Sequence, residues 1–162
     1  MMFKERIKNN PVYPIREAAK LLNISVHTLR MYEKAGLIIP YKKESSHRLY
    51  SDSDLERIRC FRDAINKEKI SIEGIKRLLS LIPCWTLVKC SEEDRQNCQA
   101  IYDSTKPCWA FKHKNNICAN LNCRECEVYN SFTNCEKIKQ TLFNQIISKD
   151  SCNSNNNSRD IV

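Results

Sequence analysis

Glycine is nearly missing from this chain: of 162 residues only Gly36 and Gly74 are glycine. Dinucleotide folds and phosphate loops need clustered glycines where the backbone approaches the ligand, so neither is expected here. Histidine is scarce as well, with three residues. No Ser/His/Asp grouping or pair of carboxylates stands at catalytic spacing, and an enzyme is not expected. No apolar run is long enough to cross a bilayer, and the opening MMFKERIKNN lacks the apolar centre of a secretion signal. We therefore expect no membrane association and a cytoplasmic location, where thiols stay reduced.

An acidic surplus is missing too. Residues 1–82 carry 17 basic against 10 acidic side chains, and residues 83–162 carry 10 against 9. A basic front half beside a nearly neutral back half points to a polyanion, the alternative being a solvated basic surface. Cysteine is distributed the other way. Of ten cysteines only Cys60 and Cys152 lie outside the span from Cys84 to Cys135. Clustered cysteines in a reducing compartment hold metals or do redox chemistry more often than they form a disulfide framework.

The periodicity predicts a mainly α chain. Pro11 to Pro14 reads as an extended lead-in. Ile15, Ala18, Ala19 and Leu22 then recur at helical spacing, ending near Asn23. Ser25 caps a second helix through Thr28, Leu29, Tyr32 and Glu33, and Gly36 stands where a helix needs a left-handed residue. The tight turn between these two helices has helix-turn-helix spacing. Leu37-Ile38-Ile39, a polar stretch and Arg48-Leu49-Tyr50 predict a β-hairpin, the wing. Ser51 to Asp54 start a third helix with Leu55, Ile58, Phe61 and Ile65 on one face. Ser71 starts a fourth with Ile72, Ile75, Leu78, Leu79 and Ile82 on one stripe, closed by Pro83.

A helix that reads DNA turns short polar and basic residues away from its core contacts. With Val26 and Leu29 inward, Ser25, His27, Thr28, Arg30 and Lys34 are left for a groove. On the wing, Lys42, Lys43, His47 and Arg48 lie within reach of a neighbouring groove or backbone.

The string Thr28-Leu29-Arg30, Tyr32-Glu33, Gly36-Leu37-Ile38, Pro40 and Arg48-Leu49-Tyr50-Ser51 resembles the MerR family of winged helix-turn-helix regulators. Ser71–Leu79 looks most like the heat-shock-repressor branch. The resemblance covers residues 11–82. It implies that the helix at Ser25–Lys34 enters the major groove, that Thr28 and Arg30 contact backbone or bases, and that Tyr32, Arg48 and Tyr50 clamp phosphates. For Tyr32 and Tyr50 the alternative is packing at the core edge. The resemblance also implies a homodimer on near-palindromic, double-stranded promoter DNA, acting on RNA polymerase indirectly by bending or untwisting that DNA. Two departures stand out: Met31 replaces a usual aromatic residue, and the wing has Ser45-Ser46-His47 where a glycine is usual.

Residues 83–133 lose periodicity and read as a small irregular module. Pro83-Cys84-Trp85 recurs as Pro107-Cys108-Trp109, a weak internal duplication. Cys118-x4-Cys123-x2-Cys126 has the plant-type spacing for a [2Fe–2S] cluster, which needs a fourth thiolate from elsewhere. The candidate ligands are Cys84, Cys90, Cys98, Cys108, Cys118, Cys123, Cys126 and Cys135, enough for two four-thiolate sites. Zinc, with His113 as a nitrogen ligand, and metal-free thiol chemistry remain open beside iron–sulfur. Trp85 and Trp109 would shield such a centre. Family members that sense oxidants or thiophilic metals carry their cysteines after a long dimerisation helix, whereas here Pro83 and the first Cys-Trp follow the fourth helix directly. A last helix over residues 134–149, about 24 Å long, is expected to dimerise, and residues 150–162 read as a disordered tail.

The function expected is a DNA-binding regulator whose cysteine module senses redox state or a metal, coupled through Ile82–Trp85. The alternatives are an architectural, excisionase-like DNA-binding protein with structural zinc, and a thiol redox protein.

Overall fold

The computed structural model describes residues 8–42, 47–133 and 135. The expected helix over 134–149 and the tail over 150–162 lie outside the described residues, but for Cys135. The fold starts with β1 (Tyr13–Pro14), α1 (Ile15–Leu21) and α2 (Val26–Lys34). Ala18, Ala19, Leu22 and Leu29 are buried where α1 and α2 meet. Asn23 takes φ 51° in the turn between them, a conformation asparagine tolerates better than most residues. Ser25 caps α2 as expected, its Oγ accepting from the Thr28 amide at 2.9 Å. Gly36 turns the chain away with φ 75°, and a Cβ there would sit 3.2 Å from that of Ala110.

The sheet is antiparallel and three-stranded, in the order β1, β3 (Arg48–Tyr50), β2 (Tyr41–Lys42). Tyr13 pairs with Tyr50, and Tyr41 with Leu49. Two points differ from the sequence reading. The lead-in at Tyr13–Pro14 is a strand, and the run Leu37–Ile39 is not. Leu37 and Ile38 are both buried, which the alternation of a half-buried strand does not allow, and Pro40 intervenes before β2 begins.

Helix α3 (Asp52–Asn66) begins with a capping box in which Ser51 and Asp54 each satisfy the other's backbone N–H. It buries Leu55, Ile58 and Phe61. Arg62 donates to the Leu22 carbonyl, closing the end of α1. Helix α4 (Ile72–Ser80) buries Ile75 and Leu79, with Ile82 just beyond its end, while Leu78 and Leu81 face outward.

The remainder is a chain of short turns: α5 (Cys84–Leu87), α6 (Glu92–Gln96), α7 (Gln99–Tyr102), 3₁₀ turns at Cys108–Ala110 and Ile117–Asn120, and α8 (Glu127–Asn130). Each Pro-Cys-Trp places its proline immediately before a helical turn. Trp109, Val128, Tyr129 and Phe132 join the core of the first half, so the module has no separate core of its own. Cys60 of α3 is disulfide-bonded to Cys135, with Cα atoms 5.7 Å apart. Among the described residues no helix is long and apolar enough to cross a membrane.

Candidate DNA interface and cysteine cavity

The N-terminal turn of α2 presents Ser25, His27 and Thr28. Ser25 and Thr28 are tied to each other, their hydroxyls 2.9 Å apart. His27 and Arg30 are exposed, as are Lys34 at the end of the helix and Met31, at 41%. Leu29 is fully buried and orients this face outward. Lys42 on β2 and His47 before β3 are exposed, and Lys42 is paired with Arg48 across the ladder. Lys43, Ser45 and Ser46 lie outside the described residues.

Tyr50 and Tyr32 do not fit the role of phosphate clamps. Tyr50 is fully buried, and its hydroxyl donates to Glu33 Oε1. Burial and that carboxylate hold its phenol well above the ordinary tyrosine range. Tyr32 is also core, at 5% exposure. Arg48 is half-exposed and donates through Nε to Glu33 Oε2 at 2.8 Å. Glu33, for which the sequence reading named no role, thus aligns the wing arginine with the recognition helix.

The second half encloses a small cavity of about 30 Å³. Seven cysteines and His113 line it, among apolar walls such as Val88, Ile101, Trp109 and Val128. The thiols meet in pairs. Cys84 and Cys108 share a hydrogen bond that lowers Cys84 to about 7 and raises Cys108. Cys90 and Cys118 form a second pair, with Cys118 pushed up to about 12 by burial. Cys123 and Cys126 come from one turn, and burial raises Cys123. Cys98 Sγ lies 3.9 Å from His113 Nδ1.

Cys135 is the exception among the eight expected ligands. Its sulfur is bonded to Cys60, so it cannot serve as the missing thiolate. The soft donors that remain fit thiophilic metals. Among the described residues, however, no three of His, Cys, Asp and Glu converge on one ion position. A tetrahedral zinc site requires four donors about 2.0–2.3 Å from one point.

Three of the hydrogen bonds joining the halves fall on the segment between α2 and β2. Trp109 Nε1 donates to the Gly36 carbonyl at 2.8 Å. The Ile39 amide donates to the Tyr129 hydroxyl at 2.9 Å, and Arg124 donates to the Ile39 carbonyl. Arg124 also pairs with Asp54, which is 2% exposed. Beneath them Arg57, 1% exposed, lies 3.6 Å from the centroid of the Tyr129 ring and donates through Nε to the Phe132 carbonyl at 3.1 Å. The sequence did carry a trace of this. Asp54 and Arg57 fall on the stripe that includes Ile58 and Phe61, where charge is out of place unless something covers it.

Residues 13–82 match the family described as MerR HTH family regulatory protein. The chain is 36% identical over 77 residues to the putative heat shock protein HspR of Streptomyces coelicolor, covering 48% of this chain and 51% of that protein. It is 44% identical over 68 residues to a probable heavy metal-dependent transcriptional regulator of Haemophilus influenzae, covering 41% and 52%. Over 71 residues it is 37% identical to the HTH-type transcriptional regulator ZntR of Escherichia coli K12, covering 43% and 50%. The chain thus spans about half the length of these curated relatives.

Proposed function

Because the chain carries a MerR-family helix-turn-helix domain at its N-terminus, we propose that it is a DNA-binding transcription regulator whose cysteine cavity binds a thiophilic metal centre and transmits its state to the DNA reader. Ser25, His27, Thr28 and Arg30 face the major groove, and Lys42, Lys43, His47 and Arg48 hold backbone phosphates. The working unit is a homodimer on promoter DNA, and its effect on RNA polymerase runs through that DNA. Two of the similar proteins bear names that tie transcription regulation to heavy metals, which supports the reading. Residues 83–133 form the sensing module, and 134–149 serve dimerisation.

The observation that carries this reading is the shared use of Trp109 and Tyr129. Both line the thiol cavity, and both hold the segment that joins recognition helix to wing. A change of occupancy moves these walls and with them the angle between helix α2 and the wing. The soft donors of the cavity suit zinc or an iron–sulfur cluster. When bound, such a cluster supplies a charge that changes with its redox state. The chain's own residues bind it, exclude water from it with the apolar walls, and relay its state through the two rings.

The test is anaerobic purification with iron, sulfide and zinc analysis and a UV–visible spectrum. Alongside it, a duplex selected from a random-sequence library is titrated with the chain before and after chelation. We expect stoichiometric metal and a DNA affinity that falls with salt and changes on metal removal. A folded, metal-free preparation sinks the metal part of the proposal. DNA affinity indifferent to chelation would return it to an architectural role.

A further inference from the structure

The reading of the cavity as a metal centre leaves its donor set incomplete, and the inference here rests on that reading. Tetrahedral sites take donors in fours, and seven thiols leave one place open. Spacing would fill it with Cys135, whose sulfur is held by Cys60. A different donor stands at the cavity wall. The Nε2 of His113 lies 2.9 Å from the carbonyl oxygen of Cys108. A carbonyl oxygen can only accept, so Nε2 carries the proton, and a neutral ring then bears a bare lone pair at Nδ1. That nitrogen lies 3.9 Å from Cys98 Sγ, and both residues line the cavity. An imidazole fixed in one tautomer by a backbone carbonyl is the arrangement by which proteins orient metal-ligating histidines. Cys98 is 7% exposed, so water competes little for the site.

We propose that His113 binds the metal through Nδ1 beside Cys98, as the eighth donor of the cavity. The metal is thiophilic, either zinc or the iron of a cluster. On binding, Cys98 releases its thiol proton to solvent and a metal–sulfur bond forms. A metal–nitrogen bond forms at Nδ1, the ring keeps its Nε2 proton, and no electron is transferred. Imidazole suits both metals. In a cluster, one nitrogen ligand among thiolates raises the reduction potential above that of an all-thiolate site.

The experiment uses the full chain and its His113→Gln, His113→Cys and Cys135→Ser variants, each reconstituted anaerobically with zinc alone or with ferrous iron and sulfide. Glutamine keeps an N–H for the Cys108 carbonyl but is a poor ligand for thiophilic metals. We expect His113→Gln to weaken metal binding beyond the roughly 10–100-fold loss typical of outer-shell changes. We expect His113→Cys to regain the metal, with a lowered reduction potential in the iron arm, and Cys135→Ser to keep the wild-type metal content. Unchanged affinity, content and spectrum in His113→Gln overturn the assignment and leave the metal reading standing. Should that variant fail to fold, a His113→Cys protein whose cluster keeps the wild-type potential and spectrum overturns it equally. A wild-type chain that takes up neither zinc nor iron overturns both readings.

Discussion

At the scale of single residues, Glu33 decides how the wing is held. One carboxylate oxygen accepts from the Tyr50 hydroxyl and the other from Arg48 Nε, and the Glu33 side chain is 10% exposed. Removing one partner from such a carboxylate leaves a poorly hydrated charge short of a bond. Tyr50→Phe should therefore destabilise the fold by about 1–3 kcal/mol near neutral pH. Its pH dependence has a definite sign. The native phenol is held above its unfolded value, first by burial and then by Glu33. Below about pH 10 both states keep the proton and the contribution is complete. Above that the unfolded chain ionises while the native one does not, so stability falls as pH rises. Urea midpoints of the wild type should thus drop more steeply between pH 9 and 11 than those of Tyr50→Phe; parallel curves would contradict this role. The sequence held part of this arrangement. A strand's period of two puts Arg48 and Tyr50 on one face, but that the face meets Glu33 rather than DNA follows from the sheet register.

At the scale of elements, the segment Gly36–Ile39 carries most of the difference between what the chain announces and what it builds. Helices α1 to α4 were readable because caps and apolar stripes are local: Ser25, Ser51 and Ser71 each accept from the amide three residues on. Leu37–Ile39 looked like a strand because an apolar run before a polar loop has that local form. Its backbone partners are Trp109 and Tyr129, 73 and 90 residues along the chain from the groups they bind. No short-range pattern encodes such pairings. The cysteine cavity was legible as a density of thiols, but that Cys90, 28 positions earlier, comes beside Cys118 was not, since the ferredoxin-like spacing joins Cys118 only to cysteines close in sequence. The same segment yields a prediction about coupling. Trp109→Phe removes the donor to Gly36 while keeping an aromatic cavity wall. Site-to-site couplings are typically about 5–150-fold in affinity. The ratio of DNA affinities with and without bound metal should fall toward one in this variant, with metal content unchanged. A ratio equal to that of the wild type would show that the signal travels elsewhere, for instance through Ile82–Trp85.

At the scale of the whole molecule, the two halves are joined by burial of charge and by a covalent bond, and these behave differently under test. Arg57 is 1% exposed and, among the described residues, is compensated by groups from the second half and by Asp54, whose Oδ1 is 3.8 Å from its Nη1. An arginine so placed requires the cysteine module to be seated, because uncovering one side of the site strands a desolvated charge. The docking is therefore part of the fold of the DNA reader. The Cys60–Cys135 bond spans 75 residues and encloses α4 and the entire described cysteine module. Closing a loop of that length removes about 4 kcal/mol of unfolded-chain entropy on a simple loop model. Cys135→Ser should lower unfolding stability by up to that amount, and wild-type protein treated with a phosphine reductant should unfold along the variant's curve. The seating itself should survive, because the Arg57 and Arg124 contacts do not involve the bridge. Retained protection of the Ile39 amide from hydrogen exchange in Cys135→Ser would bear this out. Loss of that protection on reduction alone would mean that the bridge, and not the buried arginine, holds the module against the winged domain, and that oxidation of this pair is itself a signal to the DNA reader.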